Sequence, residues 1–150
     1  MIMDLPFSRL INCRRLPEAG QVINLKANND ECKAIAEALD MLEIKALKAE
    51  ILLRPRPHSD LIDVIGSFQA EIVAQCVASL ESFPLEINEQ FQEIYTDRQP
   101  PQKSQADRFF DPDAEEIELL DNGSLNIGAL VYQYLSLALP DHPRKDEHST

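Results

Sequence analysis

Between Leu61 and Ser79 apolar and polar residues alternate over a longer stretch than a strand in a domain of this size can run straight. Ile62, Val64, Phe68, Ala70, Ile72, Ala74, Cys76 and Ala78 share one face, while Asp63, Ser67, Gln69, Glu71, Gln75 and Ser79 lie mostly on the other. A period of two is that of a half-buried strand, and one wet face points to antiparallel pairing. At ~3.3 Å per residue the run would exceed ~50 Å, more than the diameter of a 150-residue domain. The strand must therefore bend, and Gly66 is the natural place for a bulge. The chain turns over Leu80 to Pro84, and Phe83, Leu85, Ile87, Phe91 and Tyr95 then alternate with polar residues along a return strand. Residues 61–95 thus read as one long hairpin inside a curled sheet or partly closed barrel.

Shorter elements frame this hairpin. Phe7 to Leu16 reads as a first strand with Arg14 and Arg15 exposed, and Gln21 to Ala27 as a second, joined by a turn at Pro17 to Gly20. Asn28 followed by Glu31 has the spacing of a capping box. Behind it Cys32, Ile35, Ala36, Leu39 and Leu42 form an apolar stripe at helical spacing. The stretch from Ile44 to Arg54 fits either period; a strand is expected there, ended by Arg54-Pro55-Arg56-Pro57. The most apolar run is Ile127 to Leu139, in which only Gln133 and Ser136 are clearly polar. It follows an acidic strand from Glu115 and a turn at Asp121-Asn122-Gly123, and Asn126 can cap it as a helix. A helix that is apolar nearly all round has to be buried, here on the concave side of the curled sheet. It is too short to span a bilayer, which takes ~20 apolar residues. The expected fold is therefore α+β: a curled, mainly antiparallel sheet with two helices, near 29–42 and 126–138, in a single domain over 1–150. Residues 96–114 have the composition of a mobile loop, and 141–150 that of a flexible tail.

The formal net charge of −12 is segregated. Residues 1–60 hold nine Lys/Arg and nine Asp/Glu, whereas 61–150 hold five against 17. An acidic surface repels phosphate backbones, because nucleic-acid binding depends on Lys and Arg displacing counterions. It suits a basic protein partner or plain solubility. Arg14, Arg15, Arg54 and Arg56 are the candidates for contact with RNA. Phe109 and Phe110, an aromatic pair in the acidic loop, are candidates for docking a protein, together with Asp111, Asp113, Glu115 and Glu116 around them and Arg144 and Lys145 in the tail. Cys13, Cys32 and Cys76 are odd in number and have neither disulfide nor zinc spacing; Cys32 and Cys76 fall on apolar stripes and read as small core residues. Asp111-Pro112-Asp113 lacks the glycine and the remaining ligands of a calcium loop. No catalytic constellation, metal or cofactor is expected. The N-terminus lacks the apolar core of a secretory signal, which makes the cytoplasm the expected compartment, with no membrane contact.

The order acidic strand, D-N-G at Asp121 to Gly123, L-N-I at Leu125 to Ile127, L-S-L-A-L-P at Leu135 to Pro140 and D-H-P-R-K at Asp141 to Lys145 resembles the C-terminal signature of the YceD family, the large ribosomal RNA subunit accumulation proteins. G-S-F-Q-A-E-I-V-A-Q-C-V-A-S-L-E-S-F, from Gly66 to Phe83, resembles the family's central pattern. The resemblance implies a non-enzymatic factor in ribosome assembly that meets a ribosomal protein or a pre-ribosomal particle. Some relatives add cysteines after the central one and near the C-terminus, where a zinc site is implied. Here Ser79 stands at the corresponding place and 141–150 contains no cysteine, so no zinc is expected. The chain also departs from the family at Gln133-Tyr134, where relatives commonly carry an acidic residue. The competing expectation is a protein-interaction adaptor unrelated to ribosomes, working through the acidic surface and the 96–114 loop. A hydrolase would need Asp111, Asp113 and Glu115 to converge in a pocket.

Overall fold

The computed structural model describes residues 5–97 and 116–140. Its main sheet has five strands in the order β2 (Gln21–Lys26), β3 (Glu43–Pro55), β4 (Leu61–Gln75), β5 (Ser82–Thr96) and β6 (Ile117–Leu119). The first four pair antiparallel, and β6 adds to β5 in parallel. This mixed sheet curls into a half-barrel. Helices α1 (Asn29–Ala38) and α2 (Ile127–Ala138) complete the α+β fold. A second, small antiparallel sheet joins β1 (Leu10–Asn12) to β7 (Ser124–Asn126).

The ambiguous stretch after α1 is strand β3, in register with β4 from Glu43 opposite Val73 to Pro55 opposite Ile62. Partners on both sides settle what local propensity left open. The long alternation holds from Ile62 to Cys76, whose even-numbered positions are buried. It stops short of the expected end: β4 finishes at Gln75, and Ala78 is exposed in the turn.

The bulge is not at Gly66. The ladder runs through that residue unbroken, Ile51 opposite Gly66 and Gly66 opposite Phe91, and the register shift falls on β3 between Ile44 and Ala46. Gly66 instead makes room for a side chain. A Cβ added there would lie 2.2 Å from Cζ of Phe91, so only glycine lets that ring lie across the strand. Phe91 in turn stacks on Tyr134 of α2, with centroids 4.5 Å apart and planes 3° from parallel.

Other boundaries moved for local reasons. The expected strand over Phe7 to Leu16 is only Leu10–Asn12, because the Asn12 side chain accepts from the Arg14 amide and winds Cys13–Arg15 into a 3-10 turn. The capping box of α1 is present in full, Asn28 accepting from the Glu31 amide and Glu31 from the Asn28 amide. The helix stops at Ala38 rather than near Leu42, since Asp40 adopts the left-handed conformation, φ 57°, which turns the chain into β3. Leu42 is left exposed. At Asp121 to Ser124 both central residues, Asn122 and Gly123, have positive φ, the backbone of a tight hairpin turn that asparagine and glycine favour.

Asn126 caps α2 through the Ala129 amide. It also accepts from the Arg9 amide and donates to the Ser8 hydroxyl, so one side chain ties the N-terminal segment to the helix. Ile127, Leu130, Val131 and Leu135 are buried, as expected of a core helix on the concave face. The burial is one-sided, however: Gln133, Ser136 and Leu137 face outwards. The interior is one continuous apolar cluster that includes Phe7, Phe68, Leu47, Ile51, Leu53 and Ile72.

Candidate partner-binding surface

The two ends of the sheet differ. At the end where β3 finishes and β4 begins, arginines meet aspartates. Arg56 grips Asp63 with Nε and Nη2 at 2.8–3.2 Å, and Arg54 lies directly opposite Asp63 in the β3–β4 ladder. Asp63 should point to water by the parity of β4, yet it is 6% exposed. The two guanidinium groups explain that burial, and the hydrogen bond from Arg56 holds its carboxyl below the usual carboxylate range. At the same end Arg14 binds Asp97, Nε to Oδ2 at 2.6 Å. Three of the four arginines read from the sequence as free for RNA thus stand beside carboxylates; Arg15 is exposed. Glu116 is exposed just before β6. Phe109, Phe110, Asp111, Asp113, Glu115, Arg144 and Lys145 lie outside the described residues, as does the 98–115 stretch in which most of them fall.

Acid should test the paired carboxylates. Asp63 is lowered by Arg56, and Glu31 by its bidentate bond to Arg9. A carboxylate whose pKa is depressed on folding stabilises the fold above its unfolded value, ~4. That contribution is lost as pH falls through the lower, folded value. We expect the unfolding free energy to decline as pH falls below ~5. Asp63→Asn should flatten the decline while lowering stability at neutral pH, and equal slopes in the two proteins would contradict the assignment.

Among the described residues, the rest of the hairpin and α2 contribute no positive charge. Over 64–96 and 116–140 the chain has eight carboxylates and no lysine or arginine, so most of β4 and β5, with β6, β7, α2 and the β4–β5 turn, form a flank that contributes no cation of its own. Glu71 and Glu86 sit directly opposite each other on the hairpin, a like-charge pair that costs stability in isolation. Glu93, half-buried, accepts from Tyr95 at 2.6 Å and from Tyr134 at 2.7 Å. Both carboxylate oxygens are thereby committed to phenols; burial first, and then Glu93, pushes Tyr134 up to about 12. Tyr134 therefore has a structural task, closing α2 onto Phe91 and Glu93. No aromatic ring is exposed among the described residues, so the sheet offers no platform on which bases can stack. Nor do the described residues contain a group of three or more His, Cys, Asp and Glu placed to hold a metal. Cys13, Cys32 and Cys76 are buried thiols, and no described helix is long and apolar enough to cross a membrane.

At the turn end of the hairpin the flank meets an open groove of about 590 Å³ between the last residues of α1, the β4–β5 turn and the end of α2. Leu42, Val77 and Leu80 are exposed beside it, at 54%, 47% and 68%. None of these was singled out in the sequence as a contact residue. The signal available was an apolar residue in a turn: Leu80 stands between Ser79 and Glu81, where burial is not expected.

No curated protein and no solved structure matches the chain. The model of one family matches residues 64–150, more than half of the sequence and all of the cation-free flank beyond Asp63. On that match the chain belongs to the YceD family, described as large ribosomal RNA subunit accumulation proteins.

Proposed function

We propose that the protein supports accumulation of large-subunit ribosomal RNA as a non-enzymatic assembly factor, and that it does so by holding a basic protein of the assembling particle. The family name supplies the connection with large-subunit RNA. The observation that carries the rest is the flank of eight carboxylates, over 64–96 and 116–140, without a single lysine or arginine of its own. Ribosomal RNA would be repelled by such a surface, whereas a lysine-rich protein would be attracted and kept from premature contact with phosphate. The arginines opposite are mostly engaged with carboxylates, and the absence of exposed rings among the described residues removes the usual means of gripping single strands.

Depleting the protein from cells should lower large-subunit particles relative to small ones in a sucrose gradient. An unchanged profile would overturn the reading. With purified components, a band shift on large-subunit RNA should disappear at ~0.2 M salt, where purely electrostatic contacts weaken steeply. A shift that persists there would assign the contact to RNA instead.

A further inference from the structure

We propose that the protein pairs with a second copy of itself through strand β2, edge to edge and antiparallel, with the two-fold axis beside Asn24. The contact is independent of what the acidic flank holds, because β2 forms the edge of the main sheet opposite to β5 and β6.

The first argument is the backbone. β2 has a strand on one side only, β3. The Ala27 amide donates to the Leu47 carbonyl, one step beyond Lys26 opposite Lys48 in the register. Bonded pairs alternate along an antiparallel ladder, so Gln21, Ile23 and Leu25 commit their backbone bonds to β3. Val22, Asn24 and Lys26 turn their N–H and C=O groups to the open side, and no described residue bonds them there. A row of this kind is a template for another strand, which proteins blunt with prolines, bulges or charges. β2 has no proline, its register with β3 runs unshifted over all six residues, and its one charge, Lys26, stands at its end. The strand and both its flanks lie within the continuous described stretch 5–97.

The second argument is that this strand complements itself. With Asn24 opposite Asn24 of the second copy, Val22 falls opposite Lys26 in both directions. All three open residues of each copy are then paired, and each of the three pairs exchanges two backbone bonds. Sliding one copy by two residues either way sets an open residue beyond the end of the other strand. The side chains favour the same register. On the inner face half-buried Ile23 meets Leu25 of the second copy, which is 7% exposed at the margin of the core. On the outer face Val22, 54% exposed, comes under the aliphatic stem of Lys26 from the second copy, and the two Asn24 amides exchange hydrogen bonds. The two Lys26 side chains stay four residues apart along the ladder, ~13 Å. A lysine-rich segment laid on this edge would instead run against Lys26 and the Lys48 opposite it, so a basic partner is not the occupant here.

The test is sedimentation equilibrium of the full chain over a range of concentrations, with amide hydrogen exchange followed residue by residue. A monomer–dimer equilibrium is expected, with the amides of Val22, Asn24 and Lys26 protected in proportion to the dimer. Asn24→Pro removes a donor that β3 does not use, a change an edge strand tolerates, and should leave a folded monomer. Should it disturb folding, two substitutions at exposed Val22 decide by sign. Val22→Glu sets an anion against Lys26 of the second copy and Val22→Lys a cation, so the first should dimerise about tenfold more tightly than the second. Equal or reversed affinities, or a dimer that persists in Asn24→Pro, overturn the proposal, since the contact then lies elsewhere. A chain that stays monomeric also overturns it. Protected amides in that monomer would make residues outside 5–97 and 116–140 the occupant of the edge, and unprotected ones would leave it to a strand of another protein. The sucrose-gradient profile decides the ribosomal reading separately from any of these results.

Discussion

Phe7→Ala should lower the unfolding free energy by ~3–5 kcal/mol, the cost of emptying a buried aromatic site. Phe7 is 1% exposed although it lies only a few residues from the chain's start. It is locked there from several directions. The Arg9 guanidinium sits 5.0 Å from its ring centroid. The Arg9 amide donates to Asn126, the Ile127 amide donates to the Arg9 carbonyl, and the Arg9 side chain grips Glu31 at the start of α1. The segment also runs so close to α2 that a Cβ on Gly128 would lie 2.8 Å from the Arg9 amide nitrogen. Losing the ring therefore loosens the caps of both helices as well as the core. Against a typical stability of 5–15 kcal/mol this is a large fraction, and urea denaturation should show a much lower midpoint. A loss below ~1 kcal/mol would mean that the segment is a loose appendage.

The same segment shows what could and could not be read from the amino acids. Caps were legible because their chemistry is local: Asn28 with Glu31, and Asn126, act within three residues of themselves. The hairpin was legible because alternation over β4 and β5 outweighs any local preference. Partners distant in sequence were not. Nothing in Leu10 to Asn12 announces that it pairs with Ser124 to Asn126, and the strand is short because its partner is. Asp63 reads as a wet-face residue by parity, and only the ladder that sets Arg54 opposite it, with Arg56 folded over, turns it into a buried ion pair. Arginines counted as free from sequence are committed for the same reason. On the binding side, the charge segregation was visible at once. The groove at the turn end was not, because its walls come from three places in the chain and exposed Leu80 falls in a turn that polar residues normally fill.

Gly66→Ala should destabilise the protein by ~1–3 kcal/mol, the usual range for forcing extra volume into a packed core. The added methyl would meet three atoms of the Phe91 ring, Cζ, Cε2 and Cε1, at 2.2–2.7 Å. That ring cannot simply rotate away, since Tyr134 lies flat against it and is itself tethered to Glu93. The strain should therefore pass from β4 through β5 to α2. Phe91→Leu in the unmodified protein should also be destabilising, as it leaves space above Gly66 and removes the stack. Combined, the two changes should cost less than their sum, by ~0.5–3 kcal/mol, because the new methyl then fills the place the ring vacates. Additive losses would show that Gly66 is needed for its backbone, as a bend in the strand, and not as the seat of Phe91. The unbroken register through Ile51, Gly66 and Phe91 argues for the seat.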